Sequence, residues 1–255
     1  MVLGNIMGSN IANVLLILAV SALLHPIVAR PNALRRDGPV LVGTALVFAA
    51  IVISGHAGRW LGVALLLALI AYLTLTTLSD RRQTNKTVAG SAVAGGAGIE
   101  ARSQAVAQNL ALVAFGLGAI LFGADLLVKG AVDLADRLGV SEAVIGLTMV
   151  AIGTSLPELA TAIIASIRRQ GEIAFGNIIG SNIFNILGIF GATAVVQPID
   201  MPAEVASFDI WVMIGATAAL LVFAVTRWQI SRWEGAVLLI GYIGYLGLHV
   251  VSIGA

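Results

Sequence analysis

Apolar residues run through this chain in eight stretches of about 17 to 26 residues, near positions 4–25, 39–55, 60–79, 106–128, 142–167, 173–196, 208–226 and 234–253. Each approaches the ~20 residues that an α-helix needs to cross a hydrocarbon layer. Runs this long exceed the ~10-residue alternating strands of a membrane barrel. Lipid offers no partners to backbone N–H and C=O groups, so segments immersed in it must satisfy them internally, as helices do. Composition leaves no soluble alternative: hydrophobic residues are 59% of the chain and charged residues 11%, with a mean hydropathy of +1.01. Soluble domains carry roughly 25% charged residues. The expected fold class is therefore an all-α, polytopic membrane protein with eight transmembrane helices. The first stretch is not a cleavable leader, because no basic segment precedes it and it carries Asn5, Asn10 and Asn13.

The charge balance, 14 Lys+Arg against 13 Asp+Glu, excludes a nucleic-acid binder built on bulk positive charge. The absence of cysteine excludes disulfide scaffolds and thiolate metal sites. His25, His56 and His249 stand in unrelated contexts, which argues against a His-ligated zinc or iron site. Orientation follows from the loops. The odd-numbered connections hold eleven basic residues: Arg30, Arg35, Arg36, Arg81, Arg82, Lys86, Arg102, Arg168, Arg169, Arg227 and Arg232. The even-numbered ones hold Arg59 and Arg137. Basic loops stay in the cytoplasm, so both termini of this chain are expected outside.

The chain is internally duplicated. Residues 3–27 (LGNIMGSNIANVLLILAVSALLHPI) align without gaps on 175–199 (FGNIIGSNIFNILGIFGATAVVQPI), with 13 identities in 25. Residues 59–73 match 232–246 at 8 of 15. The copies begin five spans apart, so they are inverted in the membrane, a signature of secondary transporters. Three units follow: residues 1–82 as a first repeat of three helices, 83–104 as a Gly/Ala/Ser-rich cytoplasmic linker, and 105–255 as a second repeat of five helices. Two helices precede the second copy of the motif and none precedes the first. Duplication of whole five-helix units would place roughly 70 further residues ahead of Met1, on the ~20-residue span length.

Chemistry concentrates in two motifs. The fifth stretch contains Gly153-Thr154-Ser155-Leu156-Pro157-Glu158, a carboxylate inside an apolar span. Ionisable groups in such places are functional by default. Pro157 removes a helical hydrogen bond and clashes with the carbonyl of Gly153, so the helix is expected to unwind there. The freed carbonyls, two hydroxyls and one carboxylate form an all-oxygen cluster suited to Na+, Ca2+ or a proton. The second motif, Gly-Asn-x-x-Gly-Ser-Asn-Ile-x-Asn, occurs at 4–13 and again at 176–185. Ser9 and Asn13 share a helix face, as do Ser181 and Asn185, and Asn5 and Asn177 extend those faces. Asn10 and Asn182 point elsewhere and suit polar contacts between helices. Asp125, Lys129 and Asp133 are read as i,i+4 ion pairing. Asp200, Glu204 and Asp209 are read as a solvated acidic loop, and the Arg-Trp pairs at 59–60 and 232–233 as interfacial anchors.

GTSLPE at 153–158, followed by GNIIGSNIFN at 176–185 and preceded by GNIMGSNIAN at 4–13, resembles the cation/calcium exchanger superfamily, most closely bacterial sodium/calcium antiporters of the YrbG type. The resemblance implies an inverted-repeat exchanger fold of five plus five helices in the bacterial inner membrane. It implies a midplane site where transported Na+ and Ca2+ bind transiently, with no organic cofactor. The metal ligands it implies are Thr154, Ser155, Glu158, Ser181, Asn185 and the carbonyl of Ala151, with Ser9 and Asn13 from the first half. The family's first-half GTSLPE-like helix has no counterpart in this sequence. At the position of Asn185 relatives carry either Asp or Asn, and Asn withdraws one negative charge.

The implied function is secondary cation antiport, Na+/Ca2+ exchange by alternating access. Competing readings are a cation/H+ exchanger and a truncated, transport-inactive remnant of such an antiporter. An intramembrane hydrolase using Ser155 or Ser181 with Glu158 fails, because no His or Lys is placed to activate either serine; the protein is not expected to be an enzyme.

Two outcomes are expected. With no native cysteine to interfere, Ser91→Cys should react with an impermeant maleimide only from the cytoplasmic side, and Ala255→Cys only from outside. Labelling of both from one side refutes the helix count. Secondly, the 255-residue chain should insert but transport poorly, and roughly 70 added upstream residues bearing a Glu-containing GTSLPE-like helix should restore exchange, since inverted-repeat sites draw on both halves. Equal sodium-driven calcium flux from both chains overturns this.

Overall fold

The computed structural model describes residues 2–89, 155–201 and 203–254, with isolated positions between 112 and 153. It is all-α apart from four two-residue strands. The first rod joins α1 (Val2–Ala12), a π-helical turn π1 (Asn13–Leu18) and α2 (Ala19–Leu24). Strand β1 (Ile27–Val28), α3 (Pro31–Ser54), β2 (His56–Ala57) and α4 (Arg59–Ala89) complete the first repeat. In the second repeat α5 (Leu156–Ile167) leads to a rod of α6 (Gly171–Phe184), π2 (Asn185–Phe190) and α7 (Gly191–Val196). Then come β3 (Ile199–Asp200), α8 (Ala203–Arg227), β4 (Gln229–Ile230) and α9 (Arg232–Gly254). Among the described residues five helices are long and apolar enough to cross a membrane: Leu3–Leu24, Pro31–Ser54, Arg59–Ser79, Gly171–Val196 and Phe208–Arg227. The expected fourth helix and the first half of the fifth lie outside the continuously described residues.

Two boundaries differ from the hydropathy reading. The second helix begins at Pro31, not near 39, because Pro fits the first helical turn, where its missing N–H has no partner to lose. Its first two turns carry Arg35, Arg36 and Asp37, which hydropathy alone discounts. The third helix runs past 79 to Ala89, into the stretch read as linker.

Duplication in the sequence becomes symmetry in space. Strand β1 pairs with β4 (Ile27 with Ile230, Val28 with Gln229), and β2 pairs with β3 (His56 with Asp200, Ala57 with Ile199). Each bridge thus ties a connection of one repeat to a connection of the other. Helix α4 packs on α7, and its counterpart α9 packs on α2. Glycine permits the first of these crossings: a Cβ at Gly62 would lie 2.5 Å from the Gly191 carbonyl and 2.8 Å from the Val195 amide nitrogen. At the matching Gly235 the nearest atom would be the Ala19 carbonyl at 3.0 Å. The first rod is central, with 83% of the most apolar 18 residues of Leu3–Leu24 buried, against 17% for those of Arg59–Ser79. On the outer face of α4, Leu67, Ile70 and Leu75 are exposed, as suits a lipid-facing surface.

The acidic loop is corrected in one member. Asp209 is buried and accepts a hydrogen bond from the Tyr245 hydroxyl at 3.0 Å. Tyr72 donates likewise to buried Asp37 at 3.2 Å, in the matching place of the first repeat. Asp200 is exposed and pairs with His56 at 2.7 Å. Of Glu204, the side chain lies outside the described residues. Lys129 pairs with Asp125 at 2.6 Å, and Asp133 pairs with Arg137 at 2.8 Å. Trp60 and Trp233 are exposed, as interfacial anchors would be.

The glycine contacts generate a graded prediction. Gly62→Ala forces a methyl into backbone atoms that cannot swing aside, whereas Gly235→Ala meets its neighbours at a tolerable limit. Overpacking of this kind costs about 1–3 kcal/mol. Thermal unfolding of the purified protein should therefore show a larger loss of Tm for Gly62→Ala than for Gly235→Ala, and the reverse order would refute the crossing geometry.

Candidate functional site

Helix α5 starts immediately after Ser155, which adopts φ −95° and ψ 4°. That start falls inside the GTSLPE motif. Pro157 occupies the first turn, where its missing N–H goes unfelt. Glu158 sits in that same turn, at the positive end of the helix dipole. Its Oε1 accepts a hydrogen bond from Ser181 Oγ at 3.5 Å, while Oε2 is buried with no hydrogen-bond partner among the described residues.

The two GNxxGSN rods cross beside this carboxylate. Each rod widens into a π-helical turn at the last Asn of its motif, Asn13 in one and Asn185 in the other. Wide turns of this sort leave carbonyls out of regular register and recur at functional sites. Asn13 Nδ2 donates to Asn182 Oδ1 at 2.9 Å, and Asn185 Nδ2 donates to Asn10 Oδ1 at 3.1 Å. Asn10 Nδ2 in turn contacts Met213 Sδ at 3.7 Å. Asn13 is fully buried, and its Oδ1 has no hydrogen-bond partner.

A cavity of about 170 Å³ lies between the rods and α5. Its polar lining is Asn5, Ser9, Asn13, Ser155, Glu158, Ser181 and Asn185, and its apolar lining is Ile6, Phe184 and Ile189. Six sequence-predicted ligands therefore meet in one place: Ser9, Asn13, Ser155, Glu158, Ser181 and Asn185. Thr154 and Ala151 lie outside the described residues. Asn177 does not line the cavity, and its Nδ2 is buried without a partner. Among the described residues no three of His, Cys, Asp and Glu gather anywhere. The site is one carboxylate among hydroxyl and amide oxygens, a hard donor set suited to Na+ or Ca2+ rather than to soft metals. A larger hollow of about 840 Å³ near the starts of α3 and α6 has its carboxylates already engaged, Glu172 by Arg30 and Asp37 by Arg36.

Sequence reasoning missed the partners of Asn10 and Asn182. They point away from the cavity face, as helical spacing requires, but they point at Asn185 and Asn13 of the opposite repeat. The signal was available: an Asn duplicated at the same motif position in two buried helices must find a polar partner, and only the inverted copy supplies one at both ends.

Comparison with known proteins places these features. The family described as sodium/calcium exchanger protein matches residues 1–78 and 108–251. The sodium/calcium exchanger MaX1 of Methanosarcina acetivorans is 32% identical over 96% of this chain and 79% of its own. The inner membrane protein YrbG of Escherichia coli is 33% identical over 96% of this chain and 75% of its own. A solved structure of the sodium-calcium exchanger NCX_Mj, soaked with Na+ and Sr2+, superposes with a TM-score of 0.76 at 32% identity, covering 96% of this chain and 76% of that one.

Proposed function

This chain belongs to the sodium/calcium exchanger family, a family of transporters rather than enzymes, and from that premise we propose that it exchanges Na+ for Ca2+ by alternating access. The substrates bind in the 170 Å³ cavity between the two crossing rods and α5. Glu158 supplies the negative charge. Ser155, Ser181 and Ser9 supply hydroxyl oxygens, and Asn13 and Asn185 supply amide carbonyls. Thr154 and the carbonyl of Ala151 complete the proposed set.

The observation that carries this reading is a pair of buried oxygens, Glu158 Oε2 and Asn13 Oδ1, without hydrogen-bond partners among the described residues, on side chains lining one cavity. They come from opposite repeats. An unsatisfied polar group of this kind costs about 1–3 kcal/mol, more for a charge, and a cation between them removes that cost. Dehydration of the ion is offset by seven polar side chains around it, within the 6–8 oxygens that Ca2+ requires. Because the lining is drawn from both repeats, a relative movement of the repeats changes access to the cavity, the basis of alternating access at an inverted-repeat interface. The expected setting is the inner membrane, with the odd-numbered connections cytoplasmic.

Glu158→Gln keeps the shape of the side chain and removes its charge. It should abolish Ca2+ binding to the purified protein, and whatever Na+-dependent ⁴⁵Ca2+ uptake the parent chain supports in membrane vesicles, with insertion and yield unchanged. Retention of wild-type calcium binding in this variant would remove the site assignment.

A further inference from the structure

An asparagine can bind a cation only if its carbonyl end faces the ion, yet its two ends are nearly the same size, so something must choose between them. At this site the choice is made by residues outside the cavity. Asn10 Nδ2 contacts the thioether of Met213 at 3.7 Å, and a thioether can only accept. That contact turns Asn10 Oδ1 toward Asn185, which must answer with its N–H, at 3.1 Å. The Asn185 carbonyl is thereby the end left for the cavity that Asn185 lines. The inverted copy repeats the bond between amides, without the thioether contact. Asn182, only 2% exposed, accepts the N–H of Asn13 at 2.9 Å, and Asn13 Oδ1 is left with no hydrogen-bond partner beside the cavity.

We propose that Asn10 and Asn182 are positioning residues, each accepting the amide N–H of the ligand asparagine of the opposite repeat and thereby turning that residue's carbonyl oxygen toward the cation. The inference rests on the proposed cation site and adds its orienting layer. It also gives the two repeats a shared part in every ligand set: α1 orients a ligand carried at the start of π2, and α6 orients one carried at the start of π1. Without the acceptor, the ligand amide is free to rotate and to aim its N–H at a cation, which repels it.

The test separates orientation from folding. Asn182→Leu removes the acceptor at similar volume, whereas Asn182→Asp keeps an acceptor oxygen in the same place. Each is purified as the full chain and titrated with Ca2+ alone, with Glu158→Gln as a control and Tm and gel-filtration profile as measures of folding. Asn182→Leu should raise the half-saturating Ca2+ about tenfold, the scale of one lost interaction to a charge, and Asn182→Asp should stay within about threefold of the parent. Asn10→Leu should behave as Asn182→Leu does. If Asn182→Leu does not yield folded protein, Asn182→Ser, whose oxygen falls short of Asn13, is read in the same way. Unchanged affinity in the folded Leu or Ser variants, or equal loss in Asp and Leu, overturns the positioning role while leaving the site intact. Unchanged affinity in Glu158→Gln instead overturns the site itself.

Discussion

Two amide hydrogen bonds, Asn13 to Asn182 and Asn185 to Asn10, join the halves of this protein at the point where its cavity lies. A buried amide in an apolar bundle must be paired, since water is not there to replace a missing partner. Within one repeat the motif has no such partner to offer. Only the inverted copy brings a second asparagine to the right place, and it does so twice, because the relation is reciprocal. The remaining architecture keeps the two rods at the distance that these bonds require.

The supporting contacts follow the same reciprocal plan. Each two-residue bridge joins connections from different repeats. Each outer helix, α4 or α9, lies on the last turns of the other repeat's central rod. Gly62 against Gly191 and Gly235 against Ala19 let those helices approach until their backbones touch, the close packing that replaces hydrophobic burial as the source of association in lipid. The Tyr72–Asp37 and Tyr245–Asp209 bonds recur at corresponding places. A movement that shifts one repeat relative to the other must therefore be shared among matched contacts.

Chemically the copies are not equal. The cavity receives Asn5, Ser9 and Asn13 from the first repeat, and Ser155, Glu158, Ser181 and Asn185 from the second. Among the described residues its negative charge comes from Glu158 alone, held at a helix N-terminus. On the proposed function a divalent ion there would be bound mainly by neutral oxygens, so their orientation would carry more of the binding than it would beside several carboxylates. This is why an amide turned the wrong way matters at this site.

Five of the eight spans, the duplication and the grouping of Ser9, Asn13, Ser155, Glu158, Ser181 and Asn185 were legible in the sequence. Apolar length, gapless identity and a carboxylate next to Gly and Pro are local properties, and lipid permits few solutions for such segments. Boundaries such as Pro31 were less legible, because amphipathic first turns look like loops to a hydropathy reading. What the sequence could not decide was which polar residues pair. Asp209 reads as loop and is buried against Tyr245; Asn10 and Asn182 read as polar contacts between helices, which they are, but their partners, Asn185 and Asn13, were not legible. Periodicity assigns a residue to a face of its own helix, but the partner on that face belongs to another helix far along the chain. Only the packing of the two repeats, a matter of backbone separation and crossing geometry, decides that Asn13 meets Asn182 and Asn185 meets Asn10.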